Sequence, residues 1–596
     1  MNVYAERLAA LRESIKERNI DYLLIPSSDP HMGEYIPEHW RIIAWLTGFT
    51  GSAGTVVVSQ SFAGLWTDSR YHIQAEYQLK GSGFILVKQI YSGSTDYVEW
   101  LSENISSGQH LGFDGRIVPV GLLRKLENAL DGGREMIDIE CDAVTAIWSD
   151  RPAMSDDQAF DLSVEFAGKE RDTKIAEVRT EMNKAGVTHH LLTSPDDVMW
   201  LLNIRGNDVR YTPLLMSFAL VGQNQILLFV DEGKVPYKLA SELDKLSVVM
   251  LPYEETAGML TTLEEGSVIL LNPATISASL YNSIPKHVRI VEDVTVPTRM
   301  KSIKNKVEIA NLEKVMISDG VALTRFFHWI ETNLGSIPMS ELSLTDRLNH
   351  IRLEQENCLG PSFCPIIAYN EHAALPHYSA TSDTDFVIAP DGILLVDSGG
   401  QYLGGTTDIT RTIALGQPSY KQKKDFTLVL KGTIDLSMLK FPYGTRGVQI
   451  DMMARRALWD NGLNYGHGTG HGVGFCLSVH EGPMGIAPGV TATSKTVLEP
   501  GILISDEPGI YREGEYGIRT ENLLLCYEDE MTDFGRFLRF HTASLCYIDR
   551  SLIDETLLDQ KERDWLNTYH EEVFDRLSPF LSGEEKTWLQ AKTSRM

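Results

Sequence analysis

One succession of short elements occurs twice in the first 300 residues, and an internal repeat of that kind constrains the fold more than any single motif. In the first pass Leu8, Leu11 and Ile15 recur at helical spacing, with Glu and Arg on the other face. An apolar run, Tyr22–Ile25, follows. WLTGFTGSAGTVVVSQSFAGLWTDSRY (45–71) then reads as strands joined by glycine-containing turns. In the second pass a charged, periodic helix is expected over 171–186. HLLTSPDDVMWLLNIRG (190–206) echoes YLLIPSSDP and WLTGFTG, and FALVGQNQILLFVDE (218–232) parallels the earlier strand pair. The expectation is two related α/β domains, 1–158 and 159–300.

The remaining segment, 301–596, has a different rhythm. Ile309, Leu312, Met316, Leu323, Phe327 and Ile330 mark one face of a helix over 306–330, and a second helix is expected over 341–356. Strand-like runs follow up to Gly416, among them Ile393–Val396. The cycle then repeats, with helices around Phe426–Thr433 and Ile450–Trp459 and strands at 502–505 and 522–527. Helix, helix, strands, twice over, predicts an α+β domain of two related halves. The tail, 553–596, reads as helical and peripheral.

With 43% apolar and 23% charged residues in a chain of 596, several ordinary cores can form. Acidic residues outnumber basic ones by 81 to 54, a net charge of −27, which disfavours nucleic acid and anionic lipid as partners. The cysteines, Cys141, Cys358, Cys364, Cys476, Cys526 and Cys546, form no C-x-x-C pair, so neither a disulfide framework nor a thiolate zinc site is expected. Charges interrupt MNVYAERLAALRESIKERN every few residues, and no apolar run reaches the ~18 residues of a membrane span. A cytoplasmic location with no membrane partner is the expectation.

The chemistry lies in acids and histidines at the ends of apolar runs. Asp397 closes ILLVDSGG, and Asp408 follows in GGTTDITRT. GHGTGHGVGFCLSVHEGP carries His467, His471 and His480; Glu507 follows ILIS; Glu521 lies in YGIRTENLLLCY. Buried carboxylates are costly unless a cation neutralises them. Two cations about 3.5–4 Å apart, held by bridging carboxylates, are a recurring device for hydrolysis. One imidazole among four carboxylates is a hard, oxygen-rich set suited to manganese, cobalt or iron. Asp506 adjoins Glu507 but faces the opposite side of a strand, so it is not expected to be a ligand.

The ordered set Asp397, Asp408, His471, Glu507, Glu521 resembles the five-ligand dinuclear site of the pita-bread metallopeptidases, which include methionine aminopeptidases, prolidases and aminopeptidases P. HGTGHGVGFCLSVHEGP, WTDSRY (66–71), PHYSA (376–380) and GGTTDITRT (404–412) are most similar to the three-domain, eukaryotic-type Xaa-Pro aminopeptidases. The resemblance spans the whole chain. It implies two creatinase N-terminal-like α/β domains before a pita-bread catalytic domain with a helical extension.

It further implies two divalent ions, manganese first, with cobalt, iron or zinc as alternatives. Asp397 would bind one metal with both oxygens, Asp408 and Glu521 would bridge, and His471 and Glu507 would complete the other. A hydroxide between the ions would attack, with Glu507 as proton acceptor. His377, His467 and His480 match substrate-site histidines that would stabilise the tetrahedral intermediate and hold the proline-side carbonyl, and Arg519 would orient Glu521. A structural role is expected for Cys476, and a substrate contact from Asp68 or Arg70 is a guess. The implied substrates are peptides with proline second, and a homodimer is expected. The alternatives are a prolidase acting on Xaa-Pro dipeptides and a catalytically silent peptide- or partner-binding protein on the same fold.

Overall fold

The computed structural model describes residues 2–89, 96–130, 134–139 and 143–596. Cys141 lies outside them. The chain forms two compact units, one of residues 1–162 and 169–297, the other of 163–168 and 298–596.

The first unit contains two six-stranded sheets with the same plan. The first sheet runs Ile85–Lys88, Ala63–Thr67, Thr55–Ser59, Tyr22–Pro26, His110–Phe113, Glu135–Asp138. The second runs Val248–Leu251, Ile226–Phe229, Phe218–Gly222, His189–Leu192, Val268–Leu271, Arg289–Glu292. In each, the second and third pairings in that order are antiparallel and the other three parallel. The repeated order seen in the sequence is therefore a repeated topology.

The expected helices form at Val3–Glu17, burying Leu8, Leu11 and Ile15, and at Arg171–Lys184, burying Ile175, Val178 and Met182. One reading needs correction. The first residues of 45–71 are the end of a helix, Ile42–Thr47, and strands begin only at Thr55. Gly48 stops that helix in a left-handed conformation, φ 82°, that a β-carbon would disfavour.

In the second unit the long helix Lys306–Asn333 starts at a capping box between Asn305 and Glu308, which satisfies its first amide groups. The next helix, Glu341–Leu353, ends earlier than expected. Asn357, at φ 59°, turns the chain into strand Cys358–Pro361. The cycle recurs with helices Tyr420–Ser437 and Gly447–Trp459.

Two sheets matter for the site. One is three-stranded, Ile366–Tyr369, Ile393–Ser398, Ile409–Ala414. The other is six-stranded, with Leu503–Asp506 between Gly470–Gly472 and Asn522–Thr532. Every residue of Ile393–Ser398 and Leu503–Asp506 is buried, which is why these strands read as unbroken apolar runs rather than alternating ones.

The tail is helical, Gln560–Leu577 and Gly583–Lys592, but it is not peripheral. Leu566, Tyr569, His570, Val573 and Leu577 form a buried stripe at helical spacing. No described helix is long and apolar enough to cross a membrane.

Candidate metal centre

Strand register brings the acids together. Asp397 pairs with Thr410 across Ile393–Ser398 and Ile409–Ala414, so the two side chains share a face. Asp408 lies two residues before Thr410, just ahead of that strand. In the larger sheet the pairing of Leu503–Asp506 with Asn522–Thr532 ends at Asp506 opposite Asn522. Glu507 and Glu521 therefore sit where those strands part. The Glu521 amide donates to the Thr410 carbonyl at 3.1 Å and ties the two sheets at this point. The Glu507 amide donates to the Thr469 carbonyl at 2.8 Å, beside strand Gly470–Gly472, which presents His471.

Asp408, His471 and Glu521 each offer a ligand atom within 4.8 Å of the others. His471 Nε2 lies 3.4 Å from Asp408 Oδ2 and 3.6 Å from Glu507 Oε1. His471 Nδ1 lies 3.0 Å from the Gly472 carbonyl. That contact places the ring proton on Nδ1 and leaves the Nε2 lone pair toward the carboxylates. Close approach shapes this loop: a β-carbon on Gly470 would stand 1.9 Å from the Ser505 carbonyl oxygen. The His480 ring stands edge-on to His471, with centroids 4.2 Å apart.

Arg519 organises one side. Its guanidinium pairs with Asp397 Oδ2, its Nε donates to Thr410 Oγ1 at 3.1 Å, and its Nη1 donates to Tyr511 Oη at 2.7 Å. The Thr410 hydroxyl in turn donates a hydrogen bond to Glu521 Oε2 at 2.7 Å. Tyr511 stands 2.7 Å from His467 Nε2, whose Nδ1 lies 2.7 Å from the Gly468 carbonyl. Burial pushes the Tyr511 hydroxyl up to about 12, so it stays protonated and donates to His467. His377 is half-buried and follows Pro376, whose carbonyl accepts from Arg519 Nη2 at 3.4 Å.

The electrostatics call for a cation. Burial pushes the Asp408 carboxyl up to about 7 and also raises Asp397 and Glu507. It raises Glu521 well above the usual range, reinforced by the neighbouring Asp408, Glu507 and Asp397. Asp397 Oδ1 is buried with no hydrogen-bond partner. Four desolvated carboxylates around a histidine, one with an orphaned oxygen, fit divalent ions.

Of the five expected ligands, Asp408, His471 and Glu521 form one group, Glu507 lies beside His471, and Asp397 pairs with Arg519; His480 stands against His471, and His467 is joined to Arg519 through Tyr511. Arg519 differs in detail from the expectation. Its ion pair is with Asp397, and its hydrogen-bonded path to Glu521 runs through Thr410. Asp506 faces away, and its Oδ2 accepts from Ser437 at 3.3 Å. Cys476 is buried. Arg70 forms a bidentate pair with Asp68, at 2.9 and 2.7 Å. Sequence reasoning missed Thr410 and Tyr511. The spacing of Asp408 and Thr410, two residues apart where an expected strand begins, was the available signal.

Residues 310–528 match the model of metallopeptidase family M24, and 536–596 match its C-terminal region. Residues 7–144 and 150–308 each match a creatinase/prolidase N-terminal domain. A probable Xaa-Pro aminopeptidase P of Paracoccidioides brasiliensis is 37% identical over 611 residues, covering 99% of this chain and 98% of the relative. One from Talaromyces marneffei is 38% identical over 608 residues, covering 99% and 92%. The crystal structure of an X-prolyl aminopeptidase from Caenorhabditis elegans, described as a cytosolic enzyme with a di-nuclear active site, matches with a TM-score of 0.95. It is 32% identical, and the match covers 100% of each chain. The chain belongs to the Xaa-Pro aminopeptidase P family of M24 metallopeptidases.

Proposed function

We propose that this protein is a metal-dependent aminopeptidase that releases the N-terminal residue from peptides with proline second. The observation that carries the reading is the grouping of Asp408, His471 and Glu521, with Glu507 beside His471 and the buried, orphaned Oδ1 of Asp397 among its electrostatic neighbours. Asp397, Asp408, His471, Glu507 and Glu521 would hold two divalent ions, with manganese the first choice for so oxygen-rich a set. Such a pair supplies Lewis-acid charge and lowers the pKa of water.

The chain's own residues do the rest. Glu507 accepts the water proton at Oε2, since Oε1 already accepts from Ser505 at 3.3 Å, and returns it to the departing amine. His480 and His377 contact the peptide. His467, held by Tyr511, presents its ring to the proline side. Arg519 fixes Asp397 and, through Thr410, Glu521. Proline needs a dedicated site because its tertiary amide has fixed φ and no N–H, so strand-like capture fails.

The division into 1–158, 159–300 and 301–596 belongs to this reading and is supported by the ranges of the matched family models. The cytosolic description of the nematode relative supports a cytoplasmic location. A homodimer is also proposed. Phe534, 93% exposed, and Met531, 70% exposed, offer apolar surface near a hairpin tip that a second copy would cover. Light scattering at micromolar concentration checks it, and a monomeric mass refutes it.

The test is product analysis. Chelator-stripped protein is given Mn²⁺, then Arg-Pro-Pro or Ala-Pro. Free Arg, with the dipeptide cut poorly, is the expected result. Cleavage of the dipeptide alone would mean a prolidase. No cleavage despite bound metal would mean a silent binding protein. Glu507→Gln is expected to abolish turnover, and near-wild-type activity would remove Glu507 from its role. His480→Ala is expected to lower the rate with both metals retained; collapse of metal content would make His480 a ligand.

A further inference from the structure

The first helix of the tail, Gln560–Leu577, reaches the carboxylate cluster through one buried arginine. Arg411 is 2% exposed and lies between the strands that lead to Asp408 and Glu521. Its Nη1 donates to the carbonyls of Glu521, at 2.6 Å, and Thr410, at 2.9 Å. Its Nη2 donates to Asn522 Oδ1, at 2.8 Å, to the Cys546 carbonyl, at 2.9 Å, and to Tyr569 Oη, at 2.8 Å. Its Nε donates to the Tyr547 carbonyl at 3.0 Å.

Tyr569 is the helix's contribution. Its hydroxyl also accepts from the Cys546 amide at 3.2 Å and has the carbonyls of Cys546 and Ser544 at 2.9 and 3.0 Å for its own proton. The guanidinium is thus saturated, and it joins two strand backbones to a helix in a dry interior where such bonds are strong.

We propose that Tyr569 is a positioning residue for the metal centre: its hydroxyl fixes Arg411, and Arg411 fixes the spacing of the strands that carry Asp408 and Glu521. The inference rests on the reading of those two acids as ligands. Without the hydroxyl, Arg411 loses an acceptor and the Cys546 amide loses its partner in a buried place. The carboxylates then lose part of their preorganisation before any cation arrives. The ring itself has a separate role, stacking on Trp565 at 5.2 Å and 8°, which phenylalanine would keep.

Tyr569→Phe in the full-length, chelator-stripped protein tests this, with Mn²⁺ binding measured by calorimetric titration and metal content by elemental analysis. The half-saturating Mn²⁺ concentration is expected to rise by roughly 5-fold, below the 10–100-fold typical of losing a direct outer partner of a ligand. KM for Arg-Pro-Pro at saturating Mn²⁺ is expected to stay unchanged. Val573→Ala, at a fully buried position on the same helix, is the control. It should lower the melting temperature while leaving Mn²⁺ binding at the wild-type value. Wild-type Mn²⁺ binding in Tyr569→Phe, or an equal shift in Val573→Ala, would overturn the proposal. Absence of Mn²⁺ uptake by the wild-type protein would overturn the metal reading itself, and this inference with it.

Discussion

Thr410 shows how one hydroxyl sets two charges. It accepts from Arg519 Nε and donates to Glu521 Oε2, at 3.1 and 2.7 Å. Thr410→Val keeps the shape and β-branching but removes both bonds. Metal affinity or kcat/KM is expected to fall about 10–100-fold, the usual effect of losing an outer partner of a ligand. Titration of the stripped protein with Mn²⁺, followed by kinetics on Arg-Pro-Pro, checks this; unchanged values would make Thr410 a packing residue. The four acids and His471 were legible because each borders an apolar run or sits in a glycine-rich motif. Thr410 was not, because threonine is at home in any strand. Tyr511 was not, because its role depends on the pairing of Gly509–Arg512 with Tyr516–Arg519, which sets its hydroxyl beside Arg519 and which no spacing in the sequence shows.

At the scale of elements, the positions of the long helices were legible from period, while their ends were set by local caps such as Asn305 with Glu308. The tail, expected to be helical and peripheral, is helical but packed inward. Its stripe from Leu566 to Leu577 had the spacing of a buried helix, and the partner that makes burial necessary, Arg411, lies more than a hundred residues away. The same helix carries a pH liability. His570 is 1% exposed, and its Nε2 accepts from the Ile548 amide at 3.0 Å. Burial, with Arg411 and Arg550 nearby, holds its pKa down at about 3. The folded protein therefore keeps His570 neutral while the unfolded chain binds a proton near pH 6.5. Stability from this residue is full above pH 6.5 and is lost as pH falls toward 3, by about 1.4 kcal/mol per pH unit within that window. His570→Gln retains an acceptor without the titration. The stability difference between wild type and variant, from denaturant melts at pH 7.5 and 5, is expected to shift toward the variant at low pH. A difference constant with pH would contradict the assignment.

At the scale of the molecule, duplication accounts for most of what was readable. The first unit repeats one strand order in two sheets, and the second repeats helix, helix, strands. Each unit has a core of its own: Leu23, Val56 and Leu65 belong to the first, Ile450, Ile504 and Leu524 to the second. The candidate ligands all belong to the second unit. A cation that binds only the folded state stabilises the unit that holds it, by about 2.7 kcal/mol at 100 times its Kd. Removing it also restores the mutual repulsion of Asp397, Asp408, Glu507 and Glu521. Calorimetry of the full chain, with Mn²⁺ and after chelation, is therefore expected to move the transition of the second unit to lower temperature on stripping. The transition of the first unit should stay in place. Limited proteolysis at intermediate temperature identifies which unit has opened, by whether fragments arise from residues before or after 298. Equal displacement of both transitions would mean that the units melt as one. Displacement of the first alone would remove the metal from this cluster.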